Sequence, residues 1–173
     1  MEITVNDSDL RQAAAEGMDE FIAVFTDAYT KAMEAAGGFG AGAMQQLSAD
    51  QNTLLAYKIF RDEMMEGGFC QLIQNGYGAY IFHNPFVKVM RLWGMEDVAR
   101  IVHAARRIYD ANRKDLERER SDEEFMAMYE QYEAFDDLET EFIENEEDYT
   151  AAIAAYVDDH MEQFAHIVMD ADA

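Results

Sequence analysis

The last third of this 173-residue chain combines charge of one sign with a helical repeat, and this combination limits how the chain can fold. From Ser121 to the end, the sequence contains eighteen Asp and Glu residues and no Lys or Arg. The same segment carries apolar side chains at regular spacing, which a disordered acidic tail would lack. We therefore predict a folded segment whose apolar side is buried and whose acidic side is exposed.

When residues 122–148 are placed on a single helix, the acids separate from the apolar residues. Six acids follow one another at steps of three or four, and we call them the acidic ridge: Glu130, Glu133, Asp137, Glu141, Glu144 and Asp148. The opposite face carries Phe125, Met128, Tyr132, Phe135, Leu138, Phe142 and Ile143. Repulsion costs about a few tenths of a kcal/mol per like-charged pair, whereas each large buried side chain gains roughly 1.5–3 kcal/mol. The amphipathic helix is therefore energetically acceptable.

The net charge indicates what kind of partner the protein binds. The formal charge of −23 and the pI near 4.2 disfavour direct binding to nucleic acid or anionic membranes, because phosphates would be repelled. Neighbouring carboxylates on the acidic ridge lie roughly 5–6 Å apart at Cβ. DNA phosphates along one strand are separated by about 3.4 Å of axial rise, and by more through space. The ridge can thus offer Arg and Lys the charge-assisted hydrogen bonds of a phosphate row; the alternative is a solvated acidic face.

Helix-start and helix-stop signals recur along the whole chain and predict an all-α fold. The start signals are Ser8, the capping boxes Ser48 with Gln51 and Ser121 with Glu124, and Asn84-Pro85; the stop signals are Gly37, Gly67-Gly68 and Gly94. A final helix is predicted over residues 147–169. Only Ile3-Thr4-Val5 and residues 79–82 have strand-like composition. We predict a single compact domain over residues 1–173 with about seven to nine helices and an acidic amphipathic C-terminal third.

Cysteine usage and the N-terminal sequence are typical of a cytoplasmic protein. Cys70 is the only cysteine, so no internal disulfide forms, and its apolar neighbours favour a packing role. The N-terminus lacks the basic start and apolar run of a signal peptide. No stretch approaches the roughly 18 apolar residues of a membrane span.

No arrangement of nucleophile, acid and base stands out, so we predict that the protein is not an enzyme and uses no cofactor or metal. One weaker alternative is a metal site at His160, Glu162 and His166, because a carboxylate and an imidazole one helical turn apart can share a metal. The His-Glu-x-x-His pattern and the paired Glu-x-x-His pattern of di-iron bundles are both absent.

One segment resembles a known family signature. Gly67-Gly68-Phe69, Gln71, Asn75 and Gly78 match the Gly-Gly-Phe-x-Gln-x-x-x-Asn-x-x-Gly core of the bacterial double-stranded-DNA-mimic proteins of the 19-kilodalton type. Residues 92–95 and 135–142 also resemble elements of that family, so the resemblance extends over roughly residues 50–165. It implies an all-helical acidic protein that occupies the DNA-binding surface of a transcription factor.

The resemblance and the charge pattern together predict a binding protein. We expect it to block a basic DNA-binding partner competitively, either a transcription factor or a nucleoid-type protein, through the acidic ridge. We assign the signature residues to architecture, because Gly67-Gly68 permits two helices to meet at an angle. Two alternatives stay open: an immunity or antitoxin-type protein that caps a basic toxin, and a helical protein with no mimic role. The oligomeric state is also open, with a homodimer as one arrangement.

Overall fold

A computed structural model of the protein describes residues 2–38 and 41–170, and these are mostly α-helical, which confirms the predicted all-α class. The helices are α1 (Asp7–Glu16), α2 (Met18–Ala35), α3 (Ala41–Met44), α4 (Ala49–Glu66), α5 (Gly68–Gln74), α6 (Gly78–Phe82), α7 (Phe86–Leu92), α8 (Glu96–Glu117), α9 (Asp122–Gln131) and α10 (Asp136–Asp159). Short 3₁₀ turns lie at Glu133–Phe135 and Met161–Gln163. Two strands, β1 (Thr4–Asn6) and β2 (His166–Val168), pair in parallel.

The chain divides into two compact units. The first unit comprises residues 1–58 and 148–173, and the second comprises residues 59–147. Helices α4 and α10 therefore contribute residues to both units. The organisation of residues 1–173 as one domain stays a prediction.

In the core of the first unit, two side chains donate hydrogen bonds to one main-chain carbonyl. Phe164 is fully buried, and its carbonyl oxygen accepts a bond of 2.7 Å from the Tyr29 hydroxyl and one of 3.1 Å from Gln51 Nε2. A second buried pair joins the Tyr57 and Thr150 hydroxyls at 2.8 Å. These bonds satisfy polar groups that would otherwise be costly inside an apolar core.

The predicted final helix over residues 147–169 is wrong in its second half. Helix α10 ends at Asp159, and residues 166–168 form β2, with the His166 N–H donating to the Ile3 carbonyl at 2.7 Å. Apolar residues at helical spacing are present here, but burial of Phe164 and pairing with β1 hold the chain in another conformation. Strand pairing with a distant segment cannot be read from local periodicity.

The predicted first helix, capped by Ser8 and running to Gly37, is in fact two helices. Strand β1 extends to Asn6, so α1 begins at Asp7 and Ser8 lies inside it. Gly17 separates α1 from α2 in an extended conformation, with φ of 162°. Its N–H donates to the Ala13 carbonyl, while its own carbonyl accepts from the Phe21 N–H. Gly17 thus closes one helix and opens the next.

Both predicted capping boxes are confirmed. At the start of α4, Gln51 N–H donates to Ser48 Oγ at 3.1 Å, and Ser48 N–H donates to Gln51 Oε1 at 2.9 Å. At the start of α9, Ser121 and Glu124 make the same reciprocal pair. These bonds satisfy N–H groups that the first helical turn leaves without partners.

An aromatic cluster forms the core of the second unit. The rings of Phe60 and Phe142 lie 4.8 Å apart between centroids, and those of Phe69 and Phe135 lie 5.1 Å apart. Phe60 and Phe69 also contact each other, at 6.0 Å. Phe135 and Phe142 belong to the predicted apolar face of the acidic segment and are fully buried. Ile143, assigned to the same face, is instead 45% exposed, because it lies one position, about 100°, around the helix from Phe142.

We expect Phe142→Ala to lower the free energy of unfolding by about 3–5 kcal/mol, since it leaves a cavity beside Phe60. The adjacent change Ile143→Ala, on an exposed side chain, is the matched control and should cost less than about 1 kcal/mol. Urea denaturation followed by circular dichroism measures both values. Equal losses for the two variants would contradict this packing of α10.

Candidate functional site

The acidic ridge is distributed over three elements, so the prediction of one helix over residues 122–148 is wrong. Glu130 lies in α9, Glu133 in the 3₁₀ turn, and Asp137, Glu141, Glu144 and Asp148 in α10. The helix is interrupted at Tyr132, whose φ of −114° and ψ of 47° are not helical. Steps of three or four therefore place acids on one helical face only from Asp137 onwards.

Four acids of the second unit present carboxylates that the fold leaves unpaired. Glu130, Glu133, Asp137 and Glu144 are exposed, and none forms an ion pair with any residue in 2–38 or 41–170. We call these four residues the free acids. Asp148 is also exposed, but it belongs to the first unit. The free acids are available to a cationic partner without first breaking an internal contact.

Glu141 differs from the other ridge residues, because Arg100 of α8 neutralises it. The Arg100 guanidinium contacts both carboxylate oxygens, Oε2 at 3.0 Å and Oε1 more closely, and it also reaches Asp97 at 3.4 Å. Hydrogen bonding to Arg100 holds the pKa of Glu141 below its usual range. No Lys or Arg is present in the acidic segment itself, but the fold brings one to its middle.

Two further acids of α10 point inward. Glu146 is buried, and its Oε1 accepts a 2.5 Å bond from Arg61 Nε in α4. Glu139 Oε1 accepts a 2.9 Å bond from the Phe69 N–H, and burial raises the pKa of its carboxyl group. Residues 139 and 146 are seven apart and thus lie on one side of the helix. Sequence counting treats these two acids as surface charge, whereas the fold uses them as structural contacts.

Most of the arginines, all of which lie outside the acidic segment, form ion pairs within the protein. Eight of the nine lie within 4.0 Å of a carboxylate: Arg11, Arg61, Arg91, Arg100, Arg106, Arg113, Arg118 and Arg120. The exposed pairs add little stability, with typical values of about 0–1 kcal/mol each, whereas the Arg61–Glu146 and Arg120–Asp115 pairs each include a buried side chain. Their effect here is electrostatic, because they neutralise the cations locally and leave the exposed, unpaired acids, the free acids among them, to dominate the surface field.

The signature glycines form a corner that contacts both helices of the acidic segment. Gly68 adopts φ of +78°, which favours glycine, and lets α5 begin directly after α4. The Gly67 carbonyl accepts a 2.9 Å bond from the Tyr129 hydroxyl of α9. The Phe69 N–H donates to Glu139 of α10. The corner therefore positions the elements that carry Glu130 and Asp137.

The remaining signature residues also make structural contacts. Gln71 Nε2 and Asn75 Nδ2 both donate to the Glu63 carboxylate, each at 3.0 Å to Oε2. The shared acceptor of these two amides is therefore a side chain of α4. Gly78 packs against the Tyr109 ring, where an added Cβ would lie 2.8 Å from a ring carbon. These contacts support the architectural assignment of the signature.

Asp115, near the end of α8, binds residues at the C-terminal end of α9. Its carboxylate accepts hydrogen bonds from the Tyr132 hydroxyl, from Gln131 Nε2 at 3.0 Å, and from Arg118 and Arg120 at 3.1 and 2.9 Å. These donors, led by Tyr132, lower the pKa of Asp115 to about 2. Since Gln131 and Tyr132 lie between Glu130 and Glu133, this network fixes the first part of the ridge. The sequence offered no signal for it.

The described residues do not assemble a site for the alternative chemistries, metal binding and thiol nucleophilicity. The part of the chain that the structure describes contains no group of three His, Cys, Asp or Glu placed to hold a metal ion, and this covers His160, Glu162 and His166. His160 instead stacks on Tyr156 with centroids 4.0 Å apart. Burial raises the pKa of the Cys70 thiol to about 12, which disfavours the nucleophilic thiolate. Within residues 2–38 and 41–170, no helix is long and apolar enough to cross a membrane.

Comparison with known proteins identifies relatives of the chain. The model of a family described as "DMP19-like protein" matches residues 45–160. The DNA mimic protein DMP19 of Neisseria meningitidis serogroup B (strain ATCC BAA-335 / MC58) is 32% identical over 122 residues, which cover 70% of this chain and 74% of that protein. The matched range includes the signature corner and all six ridge residues.

We expect Gly68→Ala to destabilise the protein by about 1–3 kcal/mol, because a Cβ there needs strained backbone and would lie 2.4 Å from Glu139 Oε1. Gly76→Ala is the matched control, with φ of +90° and no atom within 4 Å of the added Cβ. Chemical denaturation of both variants isolates the contact with Glu139. A loss at Gly68 no larger than that at Gly76 would contradict the corner's close packing.

We expect Tyr132→Phe to raise the pKa of Asp115 from about 2 towards its ordinary value, because the variant removes the strongest donor. In the native protein the depressed pKa stabilises the fold above the unfolded-state value near 4, and that contribution is lost as pH falls towards 2. Between about pH 4 and pH 2, the free energy of unfolding of the variant should therefore fall less than that of the native protein. NMR titration of the Asp115 carboxyl carbon measures the shift, and a pKa that stays near 2 would show that Tyr132 is not the cause.

Proposed function

This chain belongs to the DMP19-like protein family, and from that premise we propose that it is a DNA mimic that binds a basic DNA-binding protein and competes with DNA for it. The named relative is a DNA mimic protein, and the matched range carries the features that such a role requires. The proposed activity is binding, not catalysis.

The free acids are the observation that carries this proposal. They are exposed, unpaired within the described residues, and held on elements whose other side is buried through Phe135 and Phe142. A carboxylate held in place on a rigid support can accept charge-assisted hydrogen bonds from Arg and Lys without paying a large ordering cost. DNA phosphates accept the same hydrogen bonds. A partner surface that binds a row of phosphates is therefore also suited to bind these carboxylates.

The charge distribution favours a basic partner and an association that depends on salt. The excess of acids attracts such a partner at long range, and this attraction is screened within about 8 Å at physiological ionic strength. We place the contact at the free acids and treat Glu141 as secondary, since Arg100 already occupies its carboxylate. The partner is a transcription factor or nucleoid-type protein in this proposal.

The partner can be identified by affinity capture. The full chain, immobilised and exposed to lysate of its native host at low salt, should retain a protein with a basic DNA-binding surface and release it as salt is raised. The purified chain should then displace DNA from that protein. Retention of a toxin or nuclease with no displacement of DNA would instead indicate an immunity-type role.

The free acids can be tested directly by neutralisation. We expect the combined change Glu130→Gln, Glu133→Gln, Asp137→Asn and Glu144→Gln to weaken partner binding at least about tenfold and to reduce its dependence on salt. The matched control removes four exposed, unpaired acids elsewhere: Glu16→Gln, Glu20→Gln, Glu34→Gln and Glu119→Gln. Because both variants change the net charge equally, equal effects would mean that total charge, and not the free acids, drives binding.

A further inference from the structure

A cleft in the first unit lies along the edge of β1 and is separate from the acidic ridge. Its volume is about 500 Å³, within the range of ligand-binding clefts. Residues 2–6, which include β1, line one side of the cleft, and residues on one face of α2 line the other. Val24, Asp27, Ala28 and Lys31 form that face at steps of three, one and three, as residues on one side of a helix do. The small side chain of Ala28 leaves the space open.

The main chain of β1 has unpaired groups on the side away from β2. In the parallel pair, Thr4 is opposite His166, and the His166 N–H donates to the Ile3 carbonyl. Ile3 and Val5 therefore direct their main-chain groups towards β2, and the groups of Thr4 point the opposite way. The Asn6 N–H points in the same direction as those of Thr4. No other described residue hydrogen-bonds to the Thr4 N–H or C=O.

A free strand edge inside a cleft is suited to strand addition. In this mode an extended segment pairs with the edge through main-chain hydrogen bonds, and the surrounding side chains select its sequence. Strand β1 is three residues long, and at about 3.3 Å per residue it pairs with a segment of similar length. The face of α2 then receives the side chains of the added segment that point inward.

The charges around the cleft select the occupant. Among the described residues that line the cleft, Glu2, Asp9 and Asp27 are acidic and Lys31 is the one basic side chain. A second copy of this chain, with its net charge of −23, would bring like charges together across the new pair. We propose that this cleft binds an extended Lys- or Arg-containing segment of a partner protein by adding it as a strand to the free edge of β1.

This inference goes beyond the proposed mimic function and does not depend on it. The cleft lies outside the matched family range of residues 45–160, and it uses main-chain groups where the ridge uses carboxylates. DNA-binding proteins commonly carry basic arms that lack fixed structure. An arm of that kind supplies the extended Lys- or Arg-containing segment that this cleft would bind.

The test uses the full chain and a seven-residue peptide of alternating Lys and Val, followed by amide NMR spectra and hydrogen exchange. We expect the Thr4 and Asn6 amide signals to shift and their exchange to slow on binding. A control peptide with the same sequence and charge, but with N-methylated main-chain amides, should bind at least about tenfold more weakly because it cannot form the strand bonds. Equal binding of the two peptides, or unchanged Thr4 and Asn6 signals, would overturn the proposal.

Two variants test the cleft itself. Thr4→Pro removes the N–H at the free edge and should weaken peptide binding about fivefold or more. Ala28→Leu fills the cleft with a good helix former and should do the same, so it decides the question if Thr4→Pro does not fold. Ala14→Leu, at an exposed position of α1 outside the cleft, is the matched control and should change binding less than about twofold. In the variant that lacks the free acids, the Thr4 and Asn6 shifts should persist.

Discussion

Burial of Phe135 and Phe142 is the interaction on which the acidic surface depends. Each ring packs on a phenylalanine of the second unit, Phe69 and Phe60 respectively. Burial stabilises the fold by roughly 1.5–3 kcal/mol per side chain. This exceeds the cost of each pair of like charges on the helix, which is about a few tenths of a kcal/mol. Without this apolar support, an acid-rich segment with no Lys or Arg would tend to remain unfolded. The aromatic cluster thus permits a surface of one charge to be rigid.

The glycine corner links the family signature to the acidic surface. Gly68 allows α5 to follow α4 directly, and the backbone groups on either side of it bind Tyr129 and Glu139. These two side chains belong to the helices that carry the ridge. The signature residues therefore orient the elements that carry the proposed binding residues. Asp115 supplies the second anchor, through Tyr132 and Gln131.

Several acids that the sequence suggests are surface charges are paired inside the structure. Glu139, Glu141 and Glu146 all lie in the acidic helix, yet they bind the Phe69 amide, Arg100 and Arg61. The ridge predicted from helical spacing included Glu141 as an equal member, because spacing reports direction around a helix and not the neighbours that lie beyond it. Glu130, Glu133, Asp137 and Glu144 remain exposed as expected. Their role in binding is the part of the site that rests on proposal.

The sequence alone determined the helical class, the two capping boxes, the glycine corner and the family, since each depends on local spacing or short-range hydrogen bonds. Only the tertiary structure decided where helices break and which acids stay free. The chain leaves the helix after Asp159 because Phe164 is buried and β2 pairs with β1, and it breaks at Tyr132, where a bond to Asp115 holds the turn. These contacts join residues far apart in the chain. Periodicity reports only what a segment prefers by itself, so it cannot show them.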